Sequence, residues 1–401
     1  MRLGPIRVIA PSSPWHRRVV FMELGERIIE RIEPTEESPF AYVSVGWVDL
    51  ISWSWQPQTA PAESLLALAE RAHRGGFTQA VVGGWHGWHD PALLIQLRKE
   101  AKESPVFIHF LATWADEEGK IAPLESLKLE GAIGWTLPPL QPIPWRTLRQ
   151  ALPYLRYLGG LLFILPFWEG SSGEIGVPEA MEVALAGWQG IPEYAESAAL
   201  FLITALHRHL GGNLLVGPLT TRAGYELARQ YGVSVFTAPP YLAASASKLL
   251  SYDPIWKLHP PLRCEADRFF LAQAAAQLNL YIASWDMSPP LEEKKLEWSS
   301  ATIGQPTLEK VAHLLWCILS AASEEEERLT HLISLLAEKP RLLLGLAPFT
   351  IEEGTPLDLT VLRLREVSPL PFPWQEWHSP LEVLGTIRCL ADAHNLQSQM
   401  S

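Results

Sequence analysis

The feature that most constrains this chain is its rhythm from Val48 onward, where eight short apolar segments are each followed by a helical or partly helical stretch. The segments start at Val48, Phe77, Val106, Ala132, Leu161, Asn213, Val233 and Leu280. Short continuous apolar runs read as strands buried on both faces. Helices are predicted over Ala62–Arg74, Pro91–Glu103, Leu124–Glu130, Trp145–Leu158, Ile191–Leu210, Thr221–Tyr231 and Glu265–Leu278. Gly75-Gly76 offers a C-cap to the first of these. Eight strands, each returned to the sheet by a helix, is the count that closes a (β/α)8 TIM barrel of the α/β class.

Both ends of the chain read differently. Arg7–Ala10, Arg18–Glu23, Arg27–Ile32 and Ala41–Val45 are short strand patterns separated by turn residues and prolines. After two further predicted helices, Leu308–Ala321 and Glu324–Glu338, strand patterns return at Thr355–Arg365 and Leu381–Leu390. The economical arrangement is a small β-sandwich built from both termini, residues 1–47 and 347–401, beside a barrel of residues 48–346. The acidic run Glu324–Glu327 fits the first turn of a solvated helix, where the dipole favours carboxylates.

Bulk properties exclude several classes. The net charge of −12 argues against a protein that tracks nucleic-acid phosphates, which needs clustered Lys and Arg. No apolar run reaches the roughly 20 residues of a membrane span, and the N-terminus lacks the apolar core of a signal peptide. Cys264, Cys317 and Cys389 are widely spaced. Neither a disulfide framework nor a thiolate zinc site is expected, so the cytoplasm is the expected compartment.

The first barrel strand runs V-D-L-I-S-W-S-W-Q-P-Q over residues 48–58. Enzymes place ligands where such a strand meets its loop. This one ends in an isoleucine and two tryptophans. With 17 tryptophans in the chain, extra buried surface or an interface is implied. Trp53, Trp55, Trp85, Trp88, Trp168 and Trp285 all fall near predicted strand ends. They read either as the lining of an apolar ligand pocket or as filling for a vacated site, and close packing of interiors favours filling.

Four stretches carry a resemblance: G-I-P-E-Y-A-E (190–196), K-L-H-P-P-L-R with D-R after it (257–268), A-E-K-P-R-L-L-L-G-L (337–346) and I-E-E-G-T-P-L-D-L-T-V (351–361). With Gly75-Gly76-Phe77-Thr78, their order and spacing resemble the dihydroorotase branch of the cyclic amidohydrolases over nearly the whole chain. The resemblance implies a (β/α)8 barrel with a β-sandwich from both ends, and one or two zinc ions that activate water and polarise a cyclic amide.

It also implies ligand positions, and here the chain departs from the pattern. The family's Asp-x-His-x-His-x-Arg falls on Asp49-Leu50-Ile51-Ser52-Trp53-Ser54-Trp55, so Ile51 and Trp53 stand where two histidines would clamp a metal. Trp55 stands where an arginine would hold the substrate carboxylate. Alkyl and indole groups do not coordinate zinc. The other ligand positions fall near Leu137, in Leu165–Trp168, on Pro218–Thr221 and on Pro239–Leu242. Trp285-Asp286-Met287-Ser288-Pro289-Pro290 replaces the last motif. Only Asp286 keeps its identity, at the implied general-base position, and without a metal its expected role is to cap nearby backbone N–H groups. Two substrate-binding asparagines fall on His259 and near Trp85.

A relocated metal site is the competing reading. His86, His89 and Asp90 lie after the second barrel strand, and His109 lies in the next. Zinc would need three or four convergent donors from this set. His207 and His209 sit two apart on a helix and so point to different faces. Lys257, Arg263, Asp267 and Arg268 are expected to serve structural ion pairing, with Arg263 and His259 as remnants of the substrate pocket. The expectation is therefore a degenerate dihydroorotase-like protein with no catalytic residues and no cofactor. The resemblance implies a structural or regulatory role beside aspartate carbamoyltransferase in pyrimidine biosynthesis, within a homo- or hetero-oligomer. The alternative is an active zinc-dependent cyclic amidohydrolase of dihydroorotase or hydantoinase type.

Overall fold

The computed structural model describes residues 1–55, 61–168, 173–180, 183–184, 187–319, 324–346 and 350–400. The far end of the stretch at 48–58 and the start of the expected C-terminal segment at 347 lie outside the described residues.

Eight parallel strands form the central sheet in sequence order: β5 (Trp47–Ser54), β6 (Phe77–Gly84), β7 (Phe107–Thr113), β8 (Ala132–Thr136), β9 (Leu161–Ile164), β10 (Asn213–Val216), β11 (Ser234–Thr237) and β12 (Tyr281–Ile282). The circle closes between β5 and the residues after β12. There Trp285 N donates to Ile51 O at 3.1 Å and Trp53 N to Asp286 O at 2.9 Å. All eight expected barrel strands are present. Side chains alternate between two layers, as the two-residue period of a strand requires. Val81, Leu111, Phe163, Leu215 and Phe236 fill the barrel. Ala80, Val82, Phe110 and Leu162 face outward onto Leu65, Leu68, Leu94 and Leu148 of the surrounding helices.

The termini build a separate mixed sheet in the order β14-β13-β4-β1-β2-β3. It comprises β1 (Arg2–Val8), β2 (Val19–Leu24), β3 (Ile29–Pro34), β4 (Ala41–Val45), β13 (Leu359–Pro369) and β14 (His378–Ile387). The C-terminal hairpin joins through β13 and β4, which pair antiparallel with Leu359 opposite Val45. The fold is thus a TIM barrel carrying a small β-sandwich domain made from both ends. Arg341, fully buried, ties the two units together: its guanidinium donates to Gly46 O at 2.8 Å and pairs with Asp358.

Local differences from the sequence reading have local causes. β13 begins at Leu359 rather than Thr355, because Thr355 closes a turn onto Glu352 O and Gly354 takes φ +83°. The chain after β14 becomes the helix Leu390–Met400 instead of prolonging the strand. Asp392 Oδ2 caps its start by accepting from Arg388 N and Cys389 N.

Candidate functional site at the barrel mouth

The rim of β5 is shaped by a bulge between Asp49 and Ser52 in its pairing with β6. A bulge re-aims side chains at a barrel rim. Here Leu50 and Ile51 both join the interior cluster, with Trp53 above them. Ile51 and Trp53, at the positions where histidines are implied, are each only 1% exposed. Trp53 meets Trp285 edge-on, with ring centroids 5.5 Å apart at 88°. The close approach relies on Gly83, since a Cβ there would sit 2.8 Å from Trp53 Cζ3.

The six rim tryptophans divide. Trp53, Trp85 and Trp285 are buried in the mouth cluster, and half-buried Trp55 packs against Trp85 with centroids 4.5 Å apart. Trp88 instead belongs to the layer outside the strands, against Phe110, and Trp168 is exposed beside Tyr194. Those two positions do not fill the mouth.

Asp286 is completely buried, and its carboxylate is fully engaged. Oδ1 lies 2.9 Å from Arg71 Nη2 and accepts from Ser288 Oγ at 2.7 Å. Oδ2 accepts from the backbone N–H groups of Thr307 and Leu308 at 2.7 and 3.0 Å. Burial opposes ionisation, but the Arg71 charge and these hydrogen bonds together hold the carboxyl below its usual range. Two donors thus meet each oxygen of the carboxylate.

Asp49 is also buried. Its two oxygens accept from Ser284 N and Ser284 Oγ, each at 2.7 Å, and so pin the closing seam of the barrel. Burial pushes its carboxyl up to about 7, against the Ser284 hydrogen bonds, with the nearby Asp286 charge adding to the rise. The sequence reading passed over this role. An acid inside an otherwise apolar strand is the signal that could have found it, because a buried carboxyl must have partners.

The relocated set does not converge. His86 is exposed, and Asp90 caps the helix Pro91–Glu100 by accepting from Ala92 N at 2.9 Å. His109 lies near the start of β7, where its Nε2 is 2.8 Å from Gln79 Oε1. Gln79 is five residues before Gly84, the last residue of β6, and His86 and His89 lie beyond it. At about 3.3 Å per residue, that places His109 ~16 Å from the opposite end of the barrel. Among the described residues no group of three or more His, Cys, Asp or Glu side chains could hold a metal ion. Zinc, implied by the resemblance, therefore does not fit the donors that the described residues offer at this mouth.

The two expected pocket remnants part ways. Arg263 is turned aside: its guanidinium donates to Ile191 O at 2.7 Å and Thr220 Oγ1 at 3.3 Å, and its charge faces buried Glu196. Glu196 in turn accepts from the N–H and hydroxyl groups of both Thr220 and Thr221. The 190–196 and 257–268 stretches thus meet in one buried network. Nearby, Lys257 donates to Trp298 O at 2.6 Å, Asp267 accepts from Arg222 N, and Arg268 pairs with Glu265 at the surface. His259 does face a cavity, of about 70 Å³, between the ends of β8 and β9. Its ring meets Phe167 edge-on, and its Nδ1 is buried with no hydrogen-bond partner among the described residues.

A closed eight-stranded barrel with a composite terminal β-domain and an apolar mouth defines the structural class. Comparisons with known proteins agree with it. The chain is 32% identical over 214 residues to a dihydroorotase from Thermus aquaticus, covering 48% of this chain and 50% of that one. It thus spans half of that relative's length. It is 24% identical over 331 residues to a dihydroorotase from Pelotomaculum thermopropionicum, covering 79% and 76% of the two chains. Among solved structures, the L-hydantoinase (dihydropyrimidinase) from Arthrobacter aurescens superposes with a TM-score of 0.79 over 96% of this chain and 94% of that one, at 16% identity. No protein-family model matches. The chain is thus similar in sequence to dihydroorotases and shares the fold of a hydantoinase.

Proposed function

We propose that this protein is a non-catalytic dihydroorotase-like barrel that acts as a structural or regulatory partner in pyrimidine biosynthesis, assembled with aspartate carbamoyltransferase. One observation carries the reading: the positions where metal ligands are implied hold buried Ile51 and Trp53, while the retained Asp286 is consumed by Arg71, Ser288, Thr307 and Leu308. Hydrolysis of a cyclic amide needs an activated water and a polarised carbonyl, and a metal ion is how this fold supplies both. The apolar plug supplies neither.

The assembly half of the proposal draws support from the outer surface. Exposed Tyr154 and Tyr157 line a groove with Ile121 on the barrel wall. Aromatic groups in an apolar surface groove suit an oligomer interface. A cytoplasmic location is supported by three free cysteines. Among the described residues no helix is long and apolar enough to cross a membrane.

Two measurements test the reading. Elemental analysis of protein purified without chelators should find substoichiometric zinc and manganese, with no turnover of dihydroorotate or hydantoin. Stoichiometric metal with turnover would establish the enzyme instead. On a sizing column, the protein mixed with the transcarbamoylase of the same organism should elute as one larger complex. Separate elution at micromolar concentrations of both would remove the assembly half.

A further inference from the structure

At the N-terminal end of the barrel, opposite the mouth, an open recess of about 660 Å³ lies between β6, β7 and the terminal β-domain. Sites that hold small organic ligands span about 300–1,000 Å³. Arg27, in the turn between β2 and β3, and Arg388, just after β14, line it from the terminal domain. Phe107 and His109 line it from the start of β7.

His109 sets the chemistry of one wall. The residue is 7% exposed, and its Nε2 lies 2.8 Å from Gln79 Oε1. Gln79 Nε2 donates to Asp358 Oδ2 at 2.8 Å, so the oxygen end of the amide faces the imidazole and can only accept. Burial, with the Arg341 charge adding to it, lowers the imidazole to about 4, so the ring is uncharged at neutral pH. The single ring proton then sits on Nε2, which leaves Nδ1 as an acceptor. No described residue donates to Nδ1, which is not sealed off and opens onto the recess. An acceptor held in this way, on a buried ring, is a loss that a ligand's N–H or O–H can recover.

The charge of the walls is uneven as well. Arg388 Nη1 donates to Pro105 O at 2.6 Å, and neither Arg388 nor exposed Arg27 pairs with a carboxylate among the described residues. The two acids on the walls are occupied. Asp358 is countered by Arg341, and its remaining oxygen, Oδ1, is buried. Asp392 Oδ2 accepts from Arg388 N and Cys389 N. Two guanidinium groups thus stand without a counter-ion, and their planar fork matches a carboxylate. Phe107 is 53% exposed with its ring centroid 4.7 Å from that of His109, which adds a flat apolar wall.

We infer that this recess binds a small planar carboxylate that carries an N–H or O–H donor. The carboxylate goes to Arg27 and Arg388, the donor to His109 Nδ1, and the flat face to Phe107. The inference is independent of assembly with a transcarbamoylase and of any chemistry at the mouth.

Pyrrole-2-carboxylate is the probe. Furan-2-carboxylate keeps its shape and charge without the donor, and pyrrole-2-carboxamide keeps the donor without the charge. Titration of the full chain at neutral pH, followed by saturation-transfer NMR, should show saturable binding of the probe and about tenfold weaker binding of each control, the effect of one well-made hydrogen bond. Arg27→Ala, a change at an exposed side chain, should weaken the probe about tenfold and leave the carboxamide unchanged. His109→Phe should abolish the preference for pyrrole over furan while the carboxylates still bind. The inference is overturned if the probe does not bind saturably, if either control binds as tightly, if Arg27→Ala binds the probe unchanged, or if the pyrrole preference survives His109→Phe.

Discussion

The guanidinium of Arg71, on the helix Pro61–Arg74, lies 2.9 Å from Oδ1 of Asp286, joining the first helix of the barrel to its closing seam. Asp286 has no solvent exposure, whereas the Arg71 side chain keeps 21%. The pair links residues 215 apart in sequence. A carboxylate in this setting acts as a brace.

Removing the brace should be costly. Asp286→Ala strands Arg71 and leaves the Thr307 and Leu308 N–H groups without acceptors, and breaking a buried pair from one side costs about 3–5 kcal/mol. Urea unfolding of the variant at pH 7 should show a loss of that order. The lowered carboxyl works in the same direction. A group whose folded pKa is depressed gives stability above its unfolded value of about 3.9 and loses it as pH falls through the folded one. The Asp286→Ala penalty should therefore shrink in acid below pH ~4. A loss under about 1 kcal/mol at pH 7 would mean the brace is dispensable.

The Trp53 plug makes a coupled prediction. Gly83→Ala places a methyl group 2.8 Å from the Trp53 ring, and both residues are buried in β-strands. Overpacking of this kind costs about 1–3 kcal/mol. Trp53→Phe alone should also destabilise, by opening a cavity. The double variant should recover part of the loss, because the smaller ring makes room for the methyl, giving a coupling of about 0.5–3 kcal/mol in a double-mutant cycle. Additive losses would show that Gly83 is not there for the indole.

The barrel was legible because a strand buried on both faces must be mainly apolar, and β5 to β12 are, with Asp49, Gln79 and His109 among the few polar breaks. The identities of Ile51 and Trp53 were also legible, since two residues apart on a strand means one face. What sequence could not carry was the pairing of distant polar groups. Asp49 with Ser284 spans 235 positions, and no periodicity reports such a partner. His109 misled for a related reason: its strand was visible, but its depth along that strand was not. Trp88 and Trp168 misled because being near a strand end does not say on which side of the wall a side chain lies.

The Arg263 and Glu196 network predicts a stability defect without a change at the mouth. Arg263→Met leaves the Glu196 carboxylate without its countercharge in a fully buried site and frees the Ile191 carbonyl. A loss of about 3–5 kcal/mol is expected from a buried charge left unpaired. The pair of Glu196→Gln and Arg263→Met together should cost less than the sum of the two changes, because the unpaired charge is gone. Thermal melts of the three variants check this. Full additivity would mean the two charges do not sense each other.

The most specific prediction concerns pH, where buried carboxyls and buried histidines act in opposite directions. Burial holds the folded Asp49 carboxyl at about 7, above the unfolded value of about 3.9. The folded state then binds more protons than the unfolded one, so this group lowers stability as pH rises from about 4 to 7. Burial, with positive neighbours adding, lowers His109 and His259 to about 4, below the unfolded value of about 6.5. For these the unfolded state binds more protons, so stability rises with pH over about 4 to 6.5. Each group contributes at most about 1.4 kcal/mol per pH unit. Three histidines lowered by burial, His109, His259 and His313, outweigh the two raised carboxyls Asp49 and Glu196, so the wild-type urea midpoint should climb from pH 4.5 to about 6.5 and then dip slightly toward 7. Asp49→Asn should steepen the climb and shrink the dip, since an amide can still accept from Ser284 N. The double variant His109→Gln, His259→Phe should reverse the slope below pH 6.5. A wild-type midpoint that falls steadily from pH 4.5 to 7 would contradict neutral, buried histidines at both positions.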